Sequence, residues 1–384
     1  MENEYLFAIA VILIFTKIFG LASRKVKMPA VLGSLIAGIL LGPVSHLVTE
    51  SDFLTKSAEI GVILLMFMAG LETNLEEIKH NLLSSIIVAT IGIIVPLIGG
   101  FITYALFFGI DKADPLAMLK ALFIGVTLTA TSVSITVETL REMGRLRGSV
   151  GTTILGAAVI DDILGIIVLT FIISLTDSTV KISSVFIKII IYFLFVAAVA
   201  VLMNFIIKVR FRIIKRKRFA VFSMAFCLTM SFIAEEFFGI ADITGAFFSG
   251  MILCNFGIRD YINEKIDGVS FLFFSPIFFA SIGLQTSFDG FTGKVVSFGI
   301  ALLFVAILSK IIGCGLGAKL CRFSNKDSLA IGCGMVSRGE VALIVAQKGL
   351  AAGIMDPHIM PALILMVIVT TVATPVLLRF VFDN

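Results

Sequence analysis

Two adjacent carboxylates, Asp161 and Asp162, stand in an apolar run from about Val150 to Leu175, with no Lys or Arg within ten positions on either side. An acid at the centre of a bilayer costs roughly 2.5–3.5 kcal/mol or more, and such residues face a cavity, an ion path or a partner. Two side by side repel, so one holds a proton or meets a cation. In a soluble core helix the same pair could cap a neighbouring element. The length of the run and the character of the rest of the chain argue against that. The chemistry indicated is a carboxylate site inside a membrane, taking protons and a cation such as Na+ at Asp161 and Asp162.

The other charges far from water are Lys310, Arg338 and Glu340. Glu59 lies near the start of its segment and is interfacial, while Lys17 and Glu138 are close enough to segment ends to snorkel. A buried ion is tolerable only when paired or hydrated, and Lys310 with one of the aspartates is the natural pair. On a helix the two aspartates point about 100° apart. One can therefore meet Lys310 while the other faces a water path and trades a proton for a small hard cation. Such a cation takes oxygen ligands. The run Thr127-Leu-Thr129-Ala-Thr131-Ser132-Val-Ser134 supplies hydroxyls, Thr131 and Ser132 among them. A second interruption is Gly332-Cys-Gly334-Met-Val-Ser337-Arg338-Gly339-Glu340. Glycine and hydroxyl residues weaken a helix, and the hydroxyls can satisfy backbone groups that a break releases. Both segments are expected to unwind there and cross, leaving half-helix ends with partial charges. Arg338, Glu340 and Lys310 are the candidates to balance those ends, Arg338 and Glu340 in a structural rather than a transporting role. Ordinary packing by small polar residues is the alternative for the Thr/Ser run.

The elements that hold these residues are membrane helices. The chain has 384 residues, 59% of them hydrophobic and 15% charged, against roughly 25% charged in a soluble domain. This is an all-α polytopic membrane protein with almost no room for a soluble domain. The net charge of +4 does not point to nucleic acid, because the basic residues cluster at segment ends. Cys227, Cys254, Cys314, Cys321 and Cys333 lack metal-type spacing and read as packing residues. Without a basic region after Met1, the start is not a cleaved signal peptide. No Gly-x-x-x-x-Gly-Lys-Ser/Thr loop is present, so energy comes from ion gradients and no cofactor is needed.

Thirteen apolar segments are long enough to span: 5–22, 29–45, 57–73, 83–109, 118–140, 149–175, 184–208, 219–237, 240–257, 268–286, 295–318, 327–353 and 358–380. About twenty Lys/Arg follow odd-numbered segments and about seven lie on the other face. The strongest loop holds Lys208, Arg210, Arg212, Lys215, Arg216, Lys217 and Arg218, read as topology plus attraction to anionic lipid. By the positive-inside rule the N-terminus is outside and the C-terminus cytoplasmic, in a cell inner (plasma) membrane. Gly33 to Gly38 resembles Gly245 to Gly250, Gly70-Leu71-Glu72-Thr73 resembles Gly283-Leu284-Gln285-Thr286, and Ile124-Gly125 resembles Ile331-Gly332. Each match joins segments seven apart, which inverts orientation. Segments 1–6 and 8–13 thus form two inverted six-helix repeats joined by the seventh, an arrangement typical of secondary transporters.

Ala-Val-Ile-Asp161-Asp162-Ile-Leu-Gly, Thr129-Ala-Thr131-Ser132, Ser309-Lys310-Ile-Ile-Gly313 and Arg338-Gly-Glu340-Val-Ala-Leu-Ile together resemble the bacterial monovalent cation:proton antiporter-2 family. Within it the likeness is to the NapA and GerN type of sodium/proton antiporter, over essentially the whole chain. The resemblance implies a thirteen-helix fold with crossed broken helices in a single transporter domain, 1–384. It implies a homodimer with scaffold helices 5–73 and 219–286, a linker helix at 184–208, and a moving core at 83–175 and 295–380. It makes Asp162 the main ion and proton carrier and Asp161 the partner of Lys310, with electrogenic exchange following from two aspartates. Related potassium-efflux proteins carry a soluble nucleotide-sensing domain, which is expected to be absent here because the chain stops at Asn384.

The function expected is exchange of Na+, with Li+ or K+ as alternatives, for H+ by elevator-like alternating access. An intramembrane aspartyl protease would be an enzyme reading of two aspartates. It needs carboxylates converging from separate elements and leaves Lys310 unexplained. A sodium-coupled solute symporter would need a larger site with Arg or aromatic residues for the solute, and a channel would give flux without proton coupling.

Overall fold

In a bilayer a backbone must satisfy its own hydrogen bonds, which leaves helices as the simplest spanning element. The computed structural model describes residues 4–26, 28–73, 75–110, 116–175, 182–210, 216–254, 256, 259–284, 292–351 and 353–383. Among the described residues no strand is present. The chain opens with α1 (Glu4–Lys25), α2 (Ala30–Ile39), α3 (Asp52–Glu72), α4 (Leu75–Phe108), α5 (Ala117–Thr127), α6 (Val133–Glu142) and α7 (Ser149–Ser174). Then follow α8 (Ile182–Arg210), α9 (Arg216–Phe238), α10 (Asp242–Leu253), α11 (Arg259–Val269) and α12 (Ser275–Leu284). The chain ends with α13 (Gly293–Leu320), α14 (Asn325–Gly334), α15 (Glu340–Ala351) and α16 (Met360–Asp383).

Nine stretches among the described residues are long and apolar enough to cross a membrane: α1, α3, α4, α7, α8, α9, α11 running into α12, α13, and α16 with the turn before it. Shorter apolar helices fill the remaining expected segments. Residue types at the starts explain where several begin. Ser51 and Thr292 accept the amide protons of Leu54 and Val295 at 3.4 Å, and Ser324 accepts that of Asp327 at 3.0 Å. Each satisfies a donor the first turn cannot.

Two boundaries differ from the hydropathy reading. α4 starts at Leu75, earlier than the expected 83, because Glu76 and Glu77 in its first turn suit the positive helix end. Residues 259–267 are helical, where a loop was expected. Ile262 and Ile266, one turn apart, are buried while their neighbours are polar, so that turn is held by a narrow apolar stripe. Residues 211–215 of the basic loop, together with Gln285 and Thr286 of the repeat, lie outside the described residues, as do the side chains at 206–210 and 216–218.

The buried apolar side chains form two clusters. One joins Ile12, Leu35, Phe67, Phe247 and Phe278 to Leu155 of α7. The other joins Phe123 of α5, Phe298 and Leu302 of α13, Ala346 of α15 and Met366 of α16. α4 runs between α7 and α13 and packs along both. By contrast α8 leaves Phe186, Ile190, Leu194 and Val201 exposed, as a helix that mainly meets lipid would.

At one end of the bundle a polar network ties α6 to α3 and α11. Arg141 pairs with Asp267 at 2.8 Å and Glu72 at 3.3 Å, and Asn263 donates to Glu72 at 3.0 Å. Glu138 belongs to it too, 3.9 Å from Arg141 with only 12% of its side chain exposed. Its place near a segment end puts it beside the cavity that opens at this end of the bundle.

Candidate functional site: a buried ion pair beside two broken helices

α7 is continuous through both aspartates, so the pair keeps the spacing of a regular helix. Asp161 is buried and Asp162 is half-buried. Lys310, from the middle of α13, donates to both oxygens of Asp161 at 3.1 Å. The side chains of the pair are 0% and 1% exposed. Burial on that scale makes each charge costly alone, and the two-oxygen contact is what makes the pair tolerable. Of the two aspartates, then, it is Asp161 that engages Lys310.

Both interrupted segments are broken. Between α5 and α6 the chain unwinds over 128–132, and between α14 and α15 over 335–339. The two breaks bond to each other. The Ser132 amide donates to the Ser337 carbonyl at 2.8 Å, and the Ser337 hydroxyl donates to the Ser132 carbonyl at 2.6 Å. Thr136 donates to the Gly334 carbonyl at 2.7 Å. Gly339 makes this approach possible, since a methyl there would run into the Ser132 side chain. Hydroxyls also close the broken ends locally: Thr127 donates to the Phe123 carbonyl and Thr129 to that of Val126.

Arg338 is fully buried and donates to the carbonyls of Ala130 at 2.5 Å and Thr129 at 3.3 Å. Its guanidinium therefore sits where the unwound end of α5 gathers partial negative charge. Thr371 of α16 donates in turn to the Arg338 carbonyl. Among the described residues, Nε and Nη2 of Arg338 have no hydrogen-bond partner. At the end of α14 a methyl on Gly332 would strike the α13 backbone at Ile311, the residue after Lys310. The ion pair and the crossed breaks thus form one neighbourhood.

Of the sequence candidates, Asp161, Lys310 and Arg338 come together, with Asp162 next along α7. Lys310 serves Asp161 rather than a half-helix end. Thr131 and Ser132 lie buried in the first break. Thr131 bonds to Arg338 and the Thr129 carbonyl, and Ser132 to Ser134. Glu340 opens α15, but its side chain lies outside the described residues. Cys314, read as a packing residue, turns out to flank the ion pair. Its position four after Lys310 was the available signal, because such residues share a helix face. A cavity of about 220 Å³ opens at the α6 end of the bundle, lined by Lys17, Arg24, Ser34, Glu138, Glu142 and Phe279. It is apart from the aspartates, which do not line it.

Comparison with known proteins places this arrangement. Residues 9–383 match the family described as sodium/hydrogen exchanger, transmembrane. The chain is 41% identical to the Na+/H+-K+ antiporter GerN of Bacillus cereus, with 100% of this chain and 97% of that protein aligned. It is 34% identical to the Na+/H+ antiporter of Enterococcus hirae, with 98% of each aligned. In three dimensions it resembles the sodium proton antiporter MjNhaP1 of Methanocaldococcus jannaschii at pH 8, with a TM-score of 0.69 at 17% identity over 99% of this chain and 97% of that one. At that identity the likeness speaks to the fold. The family consists of transporters that move ions rather than enzymes that use a cofactor. The chain is a multi-pass membrane protein and belongs to the sodium/hydrogen exchanger family.

Proposed function

We propose that this protein exchanges Na+ for H+, with Asp162 as the carrier that holds the cation or the proton in turn and Asp161 as a helper held by Lys310. The observation that carries the proposal is the buried Asp161–Lys310 contact at 3.1 Å beside a half-buried second carboxyl. A fixed pair keeps one charge balanced throughout, so binding at the neighbouring carboxyl alone changes the charge of the site. Oxygen atoms of the Thr131–Ser132 break are the candidate additional ligands, and Arg338 and Glu340 balance the half-helix ends. The names of the Bacillus and Enterococcus relatives support Na+ and H+ as the ions, and that of GerN makes K+ a second cation to test. Adjacent carboxylates on one helix, one of them committed to a lysine, do not suit a protease dyad.

The transport cycle we infer is elevator-like. The core at 83–175 and 295–380 carries the aspartates and the breaks past a scaffold at 5–73 and 219–286, with 184–208 as the linker. Reading α2, α10 and the two broken pairs as crossings gives thirteen spans in two inverted repeats. The scaffold packing supports that symmetry. Gly38 of α2 and Gly283 of α12 lie against each other's backbones, and so do Gly70 of α3 and Gly250 of α10. A two-fold relation that exchanges α2 with α10 and α3 with α12 turns one contact into the other. The scaffold would pair with a second copy as a homodimer. The basic bias of the loops puts the N-terminus outside and the C-terminus in the cytoplasm of the inner (plasma) membrane.

Purified protein in liposomes holding a pH-sensitive dye tests the reading. Na+, Li+ and K+ are added in turn, with and without a clamp on the membrane potential. Proton movement on adding Na+ supports it. Cation flux with no proton movement, or none at all under a pH gradient, overturns it.

A further inference from the structure

Lys310 reaches Asp161 through a slot whose shape is set by a residue on a third helix. Gly92 of α4 faces the α13 turn between Lys310 and Cys314. A methyl built on Gly92 would overlap the Cys314 sulfur and lie 3.8 Å from the Lys310 ammonium. Both of those side chains are 0% exposed, so neither can step aside into water. α4 and α13 are held close in the adjoining turn. A methyl on Gly313 would come within 3.0 Å of the Ile91 carbonyl oxygen, and one on Gly317 within 2.9 Å of the Val88 α-carbon. Helix separation there cannot relax without breaking those approaches as well. Packed interiors answer an added methyl by pushing side chains off their preferred rotamers. Here the neighbour with the most rotatable bonds is the lysine itself.

We propose that Gly92 is a positioning residue for ion exchange: its missing side chain seats the Cys314 sulfur and thereby holds the Lys310 ammonium on Asp161. The proposal rests on reading the aspartate pair as the exchange site. The ionisable groups around the ion pair are Asp162 on α7, Cys314 on α13 and Arg338 in the second break. From Ala89 to Thr103, α4 brings none. Lys120 on α5, Glu138 on α6, Lys188 and Tyr192 on α8, Lys326 and Asp327 on α14 and Arg379 on α16 belong to other turns of the neighbouring helices. On this proposal a methyl at 92 pushes the Cys314 sulfur out of its seat, and the sulfur shifts the ammonium, without removing any charge. With its cation displaced, Asp161 leaves more negative charge beside Asp162, and a carboxyl next to a like charge keeps its proton more tightly, so Na+ competes at Asp162 only at higher pH.

The test is the pH profile of Na+-driven proton movement in liposomes for four proteins: wild type, Gly92→Ala, Gly92→Ala with Cys314→Ala, and Gly99→Ala. Gly92→Ala should move the profile toward alkaline pH by about one unit, the size of shift that changes in a buried charge pair produce. Removing the sulfur in the double variant reopens the slot and should bring the profile back. Gly99→Ala crowds Val305 on the same helix pair, 2.8 Å from the added methyl, without approaching Lys310. It should lower stability and leave the profile in place. A wild-type profile in Gly92→Ala overturns the proposal, and so does a double variant as displaced as the single one, or a Gly99→Ala variant displaced equally. If Gly92→Ala does not fold, the double variant decides: folded protein with a wild-type profile supports the positioning role, and any other outcome contradicts it. A wild type that shows no exchange sinks the functional reading instead, which keeps the two failures apart.

Discussion

The ammonium of Lys310 lies 3.1 Å from each carboxylate oxygen of Asp161, although the two residues are 149 positions apart in the chain. No water reaches either side chain directly, at 0% and 1% exposure. Each half of the pair is therefore a liability without the other.

Lys310→Ala should destabilise the protein by about 3–5 kcal/mol, the usual cost of leaving one buried charge alone. The double change Asp161→Asn with Lys310→Met removes both charges and should recover more than half of that loss. Thermal unfolding in detergent checks this. A double variant no more stable than Lys310→Ala would count against the pair as the source of the loss.

The junction of the breaks makes a graded prediction. Ser337→Ala removes one hydrogen bond at 2.6 Å to the Ser132 carbonyl and should cost about 1 kcal/mol. Arg338→Met leaves the Thr129 and Ala130 carbonyls without their donor and should cost about 2 kcal/mol or more. Arg338→Lys should fall between the two, because an ammonium keeps the charge but loses the planar fork. Melting temperatures in the order Ser337→Ala, Arg338→Lys, Arg338→Met, from highest to lowest, are expected. Wild-type stability in Arg338→Met would contradict the balancing role.

Close backbone approach among α2, α3, α10 and α12 gives a third test. A methyl on Gly70 would strike the α10 backbone at Phe247, and one on Gly38 the α12 backbone at Ala280. Alanine at either should cost about 1–3 kcal/mol. Gly165 of α7 has nothing within 4 Å of an added methyl. Alanine there should be neutral or gain up to about 1 kcal/mol from helix propensity. Equal stability of all three variants, measured by thermal unfolding, would show that these helices pack more loosely than the glycine contacts require.

These residues also mark how far the sequence could be read. Lys310 stood out because a lone cation in an apolar segment must find an anion, and the aspartates were the anions at depth. The breaks were legible because Ser, Thr and Gly accumulate at 127–134 and 332–340, where a lipid-facing helix has no use for them. The helical turn around Ile262 and Ile266 was hidden, since averaged hydropathy sees its polar majority and misses a two-residue stripe. Gly92 was hidden for a different reason. A glycine in an apolar run says that something comes close, but which side chain fills the space depends on how α4 meets α13. The choice of Asp161 over Asp162 as the partner of Lys310 likewise depends on the rotation of α7, which the charge pattern leaves open.

In the proposed exchange Asp162 carries the ion while Asp161 is held by Lys310. The most direct measurement is uptake of radioactive Na+ into liposomes under an imposed pH gradient, comparing wild type with Asp162→Asn at equal amounts of folded protein. Asp162→Asn should fold with near wild-type thermal stability and take up no Na+ above empty liposomes. Robust uptake coupled to the pH gradient in that variant would contradict it.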